Sequence, residues 1–247
     1  MRTAIIVQAR MGSSRLPGKV MKELGRRTVL AEVLTRCRSV PGVDVVVCAM
    51  PDEASSAAIA QEARSAGAVA VLGPETDVLA RYALAAREVS ADVVMRVTSD
   101  CPLIDPSICA EVLALRAAQD NDYAANNLIR TFPHGLDCEA FTATALSRAA
   151  AEARDAYARE HVTPWLRVAP GLSRANLAAA DPRWADERWT LDYPEDLAFM
   201  RAVFAELPAG PACTSAASVH AVLAAHPEFR AINASRRTPV PATAGGK

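Results

Sequence analysis

With 247 residues, 51% of them hydrophobic and 22% charged, the chain has a globular composition and the length of one large domain, or of one domain with an appendage. A net charge of −1 argues against a protein wholly devoted to duplex nucleic acid, and 5% aromatic residues against one that stacks single-stranded bases. No stretch reaches the roughly 20 apolar residues of a membrane span, so no membrane role is expected.

Residues 4–7 are a β-rich run that ends in a polar loop at 8–19. Val29, Leu30, Val33, Leu34 and Cys37 recur with a helical period, which predicts a helix over 28–40 with Thr28 at its start. The continuous apolar run 43–50 predicts a buried strand. An Ala-rich helix over 53–66 stops at Gly67, and a strand at 69–72, a helix at 76–90 and a strand at 92–97 follow. Asp105 and Pro106 open a helix over 106–119. Strands alternating with helices of this length build βαβ units on a mostly parallel sheet. Right-handed crossovers then bring 8–19, 73–77 and 98–102, each following a strand, to one cleft at the C-terminal sheet edge.

Beyond residue 120 the pattern is less regular. Strands are expected at 123–127, 136–141 and 188–191, and helices at 142–153, 155–168, 194–207 and 215–225. Residues 233–247 read as a frayed tail. Cys37, Cys48, Cys101, Cys109, Cys138 and Cys213 form no C-x-x-C pair and read as small core residues, which fits a reducing cytoplasm. The four-residue apolar run near the start is too short for a signal peptide.

The near-neutral total hides an asymmetry: the first 40 residues carry +7 and the rest −8. A basic start on an acidic body points to a local anion site. The loop 8–19 concentrates it, with Gly12, Gly18, Ser13, Ser14, Arg10, Arg15 and Lys19 directly after the first strand. Glycines let backbone N–H groups approach phosphate oxygens, and the cations neutralise them. Five residues separate Gly12 from Gly18 and Val20 follows Lys19, so this is not a Walker A loop, and G-x-G-x-x-G is also absent. It is a phosphate loop of a third kind, stiffened by Pro17.

The run Arg10-Met11-Gly12-Ser13-Ser14-Arg15-Leu16-Pro17-Gly18-Lys19 resembles the signature loop of the sugar-acid cytidylyltransferases. These include the 3-deoxy-manno-octulosonate and acylneuraminate enzymes, and the nearest branch is the spore-coat polysaccharide biosynthesis protein F type. The resemblance continues in blocks at 98–104, 135–141, 159–164 and 191–197, in the family's order. It implies a three-layer α/β, Rossmann-like nucleotidyltransferase (GT-A-like) domain over 1–232. Its nucleotide-binding half would be 1–120 and its acceptor-binding and dimerisation half 121–232.

The activity so implied is transfer of CMP from CTP to an acidic sugar or related acidic metabolite, with release of pyrophosphate, for surface polysaccharide or glycan synthesis. A homodimer and no nucleic-acid partner are expected with it. Asp100 and Asp192 would hold Mg²⁺, an ion that takes one or two carboxylates and keeps several waters. Taken alone, Asp100 reads equally as a turn residue or a helix cap. Arg10, Lys19, Asp100 and Asp192 form the implied catalytic set. The loop would contact the nucleotide through Ala9, Arg10, Met11, Gly12, Ser13, Arg15 and Lys19. Thr76, Asp77, Thr98 and Asp100 would complete that surface.

His134, Asp137, Glu139, Glu160 and His161 would border the acceptor, and alternation along a strand sets Asp137 and Glu139 on one side. Arg96, in an otherwise apolar strand, reads either as a ligand neighbour or as part of a structural ion pair. Two positions depart from the octulosonate enzymes. The segment 73–77 keeps only Thr76 and Asp77 of a Ser-Gly-Thr-Glu/Asp pattern, and Thr98 stands where those enzymes carry a glutamine facing the nucleotide. Two rival readings remain. A nucleotide-sugar glycosyltransferase usually carries Asp-x-Asp where this chain has Asp100-Cys101-Pro102. A non-catalytic nucleotide-binding module need not keep both the cations and the aspartates.

Overall fold

The computed structural model describes residues 1–208 and 215–237. Its strands are β1 (Thr3–Gln8), β2 (Glu23–Leu24), β3 (Arg27–Thr28), β4 (Val45–Pro51), β5 (Val69–Gly73), β6 (Val93–Thr98), β7 (Tyr123–Ala125), β8 (Glu139–Thr142) and β9 (Arg174–Asn176). Its helices are α1 (Val29–Arg38), α2 (Ala57–Ser65), α3 (Val78–Glu88), α4 (Pro106–Ala118), α5 (Ala143–Glu152), α6 (Ala156–His161), α7 (Pro164–Val168), α8 (Pro194–Glu206), α9 (Ala216–Ala225) and α10 (Phe229–Ile232).

Seven strands form one sheet in the order β5-β4-β1-β6-β8-β7-β9, and β2 and β3 make a separate ribbon. The pairs β5–β4, β4–β1, β1–β6 and β7–β9 are parallel, while β8 runs antiparallel to both neighbours. The sheet crosses from the first half of the chain to the second without a break, through β6–β8. Alternating residues of β1 point to opposite layers: Ile5 and Val7 pack with α1, α2, α4, α8 and α9, and Ala4 and Ile6 with α3, α5, α6 and α7. Both faces are covered, which is why β4 reads as continuous apolar sequence. The expected three-layer α/β architecture is the one observed.

Local chemistry sets the element ends. Thr28 caps α1 by accepting from Ala31 N–H, and Asp105 caps α4 by accepting from Ser107 N–H at 2.8 Å. Five cysteines are buried as expected, and Cys213 lies outside the described residues. No described helix is long and apolar enough to cross a membrane.

Four expectations are corrected. The single helix over 155–168 is two, α6 and α7, because Pro164 cannot donate into a continuing helix and disfavours helical geometry before it. The strand at 188–191 reduces to one bridge between His134 and Arg188. Leu191 N–H instead binds the Asp100 carbonyl at 2.9 Å. Strand β9 was not expected, because Arg174-Ala175-Asn176 is too short and polar to show alternation. The frayed tail does not begin at residue 233. Asn233 is fully buried, and its Nδ2 donates to the Arg188 carbonyl and to Asp196. Residues 238–247 lie outside the described residues.

Candidate active site

A cleft of about 550 Å³ opens at the C-terminal edge of the parallel strands, where the loop after β1 meets the loop after β6. Leu16 and Val20 are buried and anchor the first loop. Within it Gly18 N–H donates to the Met11 carbonyl at 3.2 Å, and Leu16 N–H to Ser13 Oγ at 3.3 Å. Gly18 has φ +64°, a conformation glycine adopts without strain. Among the described residues the backbone N–H groups of 10–15 have no protein acceptor. Such a run of free donors, flanked by Arg10 and Arg15, is an anion-binding concavity. Ala9, Arg10, Gly12, Ser13, Arg15, Lys19, Thr98 and Asp100 line the cleft as expected.

Lys19 lines the cleft with its ammonium engaged inside the protein. Its Nζ is not free to meet phosphate. It donates to Asp100 Oδ2 at 2.8 Å, to Asp192 Oδ1 at 3.0 Å and to the Leu191 carbonyl at 3.0 Å. Three acceptors use all three ammonium hydrogens. Burial opposes the charge on Lys19, but the two carboxylates outweigh it and raise its pKa. Burial likewise pushes Asp100 up, yet Lys19 and the Thr98 hydroxyl, which donates at 2.5 Å, bring it down to about 2. Arg15 Nη2 lies 2.8 Å from Asp192 Oδ1.

Asp192 is held by a buried ion pair the sequence did not announce. Arg188 donates to both oxygens of Asp196, at 2.9 and 2.7 Å, and Asp196 Oδ2 accepts from the backbone N–H groups of Asp192 and Tyr193. Asp192 therefore sits on an irregular segment fixed from below rather than at a strand end. Two carboxylates on one cation at 2.8 and 3.0 Å are a donor set that suits Mg²⁺, which needs no more than two protein carboxylates beside phosphate and water. No group of three or more His, Cys, Asp or Glu able to hold a metal occurs among the described residues.

Three residues expected to meet nucleotide do not line the cleft. Met11 packs its side chain on the apolar core. Thr76 is exposed beyond the cleft, and Asp77 caps α3 through Ala80 N–H at 2.9 Å and pairs with Arg159 Nε at 3.0 Å. A polar residue after a strand serves as cap or as ligand with the same pattern. From that segment Val78 and Arg81 reach the cleft instead.

His134, Asp137, Glu160 and His161 line the cleft opposite the loop. Burial pushes His134 below the ordinary imidazole range. Asp137 opposes this shift without reversing it. Glu139 is the remaining correction: it is 1% exposed and faces no cleft. It accepts from Arg96 Nη1 at 2.6 Å, Arg167 Nη2 at 2.6 Å, the Tyr123 hydroxyl at 2.5 Å and Thr163 at 3.2 Å. Arg96 is part of a structural ion pair with Glu139, and it also lines the cleft.

Burial pushes Glu139 up, but Arg96 and Arg167 prevail and hold it at about 2, below its ordinary 4.5. The unfolded chain then binds a proton that the folded chain refuses. This stability is present above pH 4.5 and is lost as pH falls toward 2. Glu139→Gln is expected to lower stability at pH 7 by about 3–5 kcal/mol, since it strands two cations. It is also expected to narrow the gap between pH 7 and pH 3 in urea denaturation. An unchanged gap would show that the network carries no such linkage.

Gln8, Arg81, Asn127 and Arg188 belong to the site's walls and supports but were missed. Arg81 lies inside an otherwise ordinary helical period, and Arg188 shows its role only once Asp196 folds back on it.

A donor-rich loop facing two carboxylates at the parallel edge of a three-layer sheet defines a nucleotidyltransferase. Residues 4–205 match the family model described as cytidylyltransferase, and the chain belongs to that family. It is 32% identical over 208 residues to spore coat polysaccharide biosynthesis protein SpsF of Bacillus subtilis, covering 81% of this chain and 85% of that one. It is 43% identical over 108 residues to 3-deoxy-manno-octulosonate cytidylyltransferase of Anaeromyxobacter, covering 42% and 43%. Among solved structures, a cytidylyltransferase from Leptospira borgpetersenii superposes with a TM-score of 0.88 at 27% identity, covering 93% of this chain and 97% of that one.

Proposed function

We propose that the protein transfers CMP from CTP to a hydroxyl of an acidic sugar or related acidic metabolite, releasing pyrophosphate, with Mg²⁺ held by Asp100 and Asp192. The observation that carries this reading is the joint placement of the free loop donors, Arg10, Arg15 and the two carboxylates in one cleft. The acceptor oxygen forms a bond to the α-phosphorus and gives up its proton to water. The bond from that phosphorus to the bridging oxygen breaks, and pyrophosphate leaves with the electron pair. Negative charge grows on the leaving group, so fixed donors aimed at it lower the barrier without reorganising.

The N–H groups of 10–15 with Arg10 and Arg15 hold the β- and γ-phosphates. Lys19 keeps the two carboxylates together. When bound, Mg²⁺ supplies neutralisation of phosphate charge and a template for in-line attack. His134, Asp137, Glu160 and His161 offer partners for acceptor hydroxyls. The name of the Bacillus subtilis relative supports a place in surface polysaccharide assembly.

Calorimetry with CTP, with and without Mg²⁺, tests the reading. Binding that requires Mg²⁺ and disappears in Asp100→Ala is expected. Equal binding without the metal removes Mg²⁺ from the account, and no binding overturns it.

A further inference from the structure

Asp196 is fully buried and gathers five donated hydrogen bonds on its two oxygens. Oδ1 accepts from Arg188 Nε at 2.9 Å and from Asn233 Nδ2 at 3.2 Å. Oδ2 accepts from Arg188 Nη2 at 2.7 Å and from the backbone N–H groups of Asp192 and Tyr193, both at 3.0 Å. The two backbone bonds fix the direction in which the chain passes Asp192, whose Oδ1 then meets Lys19 at 3.0 Å. Asn233 comes to this cluster from beyond residues 4–205, the part of the chain that matches the family. It is fully buried and does not line the cleft. Its Nδ2 also donates to the Arg188 carbonyl, at 3.0 Å.

Both neighbours of that amide nitrogen are acceptors only, so an NH₂ group satisfies them and a carboxylate of the same size does not. The amide's own Oδ1 is buried with no partner among the described residues, a cost that the two donated bonds offset. Other ties between 229–237 and 187–196 lie nearer solvent. Arg230 pairs with Glu187 at 2.6 Å, Arg236 pairs with Glu195 at 2.8 Å, and the Arg236 guanidinium lies 4.2 Å from the Tyr193 ring centroid. Part-exposed ion pairs of this kind contribute little. The Asn233 amide, by contrast, reaches the carboxylate that holds Asp192. We infer that Asn233 is a positioning residue for Asp192. It fixes Asp196, Asp196 fixes the backbone at Asp192, and the C-terminal segment thereby sets one of the two metal carboxylates. This assignment rests on the reading above in which Asp100 and Asp192 hold Mg²⁺.

The test is calorimetry with CTP at saturating Mg²⁺ and with inorganic tripolyphosphate without metal, on the wild type, Asn233→Asp, Asn233→Ala and Arg230→Ala, each with a thermal melt. Asn233→Asp keeps the size and removes both donors. Asn233→Ala removes them without adding an acceptor, and serves where the first variant does not fold. Arg230→Ala loosens the same segment without touching Asp196. Each folded Asn233 variant is expected to bind CTP with Mg²⁺ about 10–100-fold more weakly, as when the outer support of a metal ligand is lost. Metal-free tripolyphosphate affinity is expected to hold, because the loop donors at 10–15 are undisturbed. Arg230→Ala is expected to lower the melting temperature and leave both affinities at the wild-type level. Unchanged CTP affinity in the folded Asn233 variants would overturn the assignment. Equal losses for CTP and tripolyphosphate would overturn it too, as would a matching loss in Arg230→Ala, since either makes the segment a general anchor. A wild type whose CTP binding is indifferent to Mg²⁺ removes the metal reading itself and this one with it.

Discussion

Asp100→Asn is expected to lower the rate of pyrophosphate release by at least about 10²–10³-fold while the fold survives. The carboxyl is held at about 2, so above pH 4 it is ionised and the substitution deletes a full charge. That charge faces Lys19 at 2.8 Å and belongs to one of the two carboxylates proposed to hold Mg²⁺. Stability is expected to change little, because Lys19 keeps Asp192 at 3.0 Å and the Leu191 carbonyl at 3.0 Å. Single-turnover pyrophosphate release and a thermal melt, taken on one preparation, separate the two effects. Wild-type turnover in this variant would remove Asp100 from the chemistry. The wild-type rate should also show no acidic limb from Asp100 above pH 4.

Gly135→Ala is expected to be the most damaging change outside the charged residues. Gly135 has φ +117°, where a side chain is strained. A Cβ there would lie 2.2 Å from the Trp189 carbonyl oxygen and 2.7 Å from Thr190 N, both backbone atoms. The neighbours cannot rotate away, so the segment 188–191 must move. That segment is pinned by Trp189 N–H to the His134 carbonyl at 2.6 Å and leads directly into Asp192. A loss of more than about 3 kcal/mol is expected in urea denaturation. Weaker Mg²⁺-dependent CTP binding should accompany it, because Asp192 shifts away from Lys19. A variant with unchanged stability would show that this approach of two backbones is looser than its geometry.

The first half of the chain was legible because its local signals agree. The strands near 4–7, 43–50 and 92–97 are apolar runs, and the helices between them carry a cap or a clean period. The parallel edge followed from those elements alone, and with it the meeting of the loop at 8–19 with Asp100. What was not legible depends on distance in space. Alternation put Glu139 on a face with Asp137 but could not tell the depth of that face, and Arg96, which lines the cleft, pairs with the buried carboxylate. Asp77 showed the pattern of a ligand and serves as a cap. Lys19 reads as a phosphate contact by position, but two carboxylates about 80 and 170 residues away claim it. Strand β9 and the segment 188–191 are short and polar, and they owe their shape to partners distant in the chain.

The most direct measurement is pyrophosphate release with each of the four nucleoside triphosphates and Mg²⁺, against a panel of acidic sugars and phosphonates. Release from CTP with one acidic acceptor, lost in Asp100→Asn, is the result this account predicts. Release from another triphosphate alone, or a protein that binds no nucleotide under any of these conditions, would contradict it.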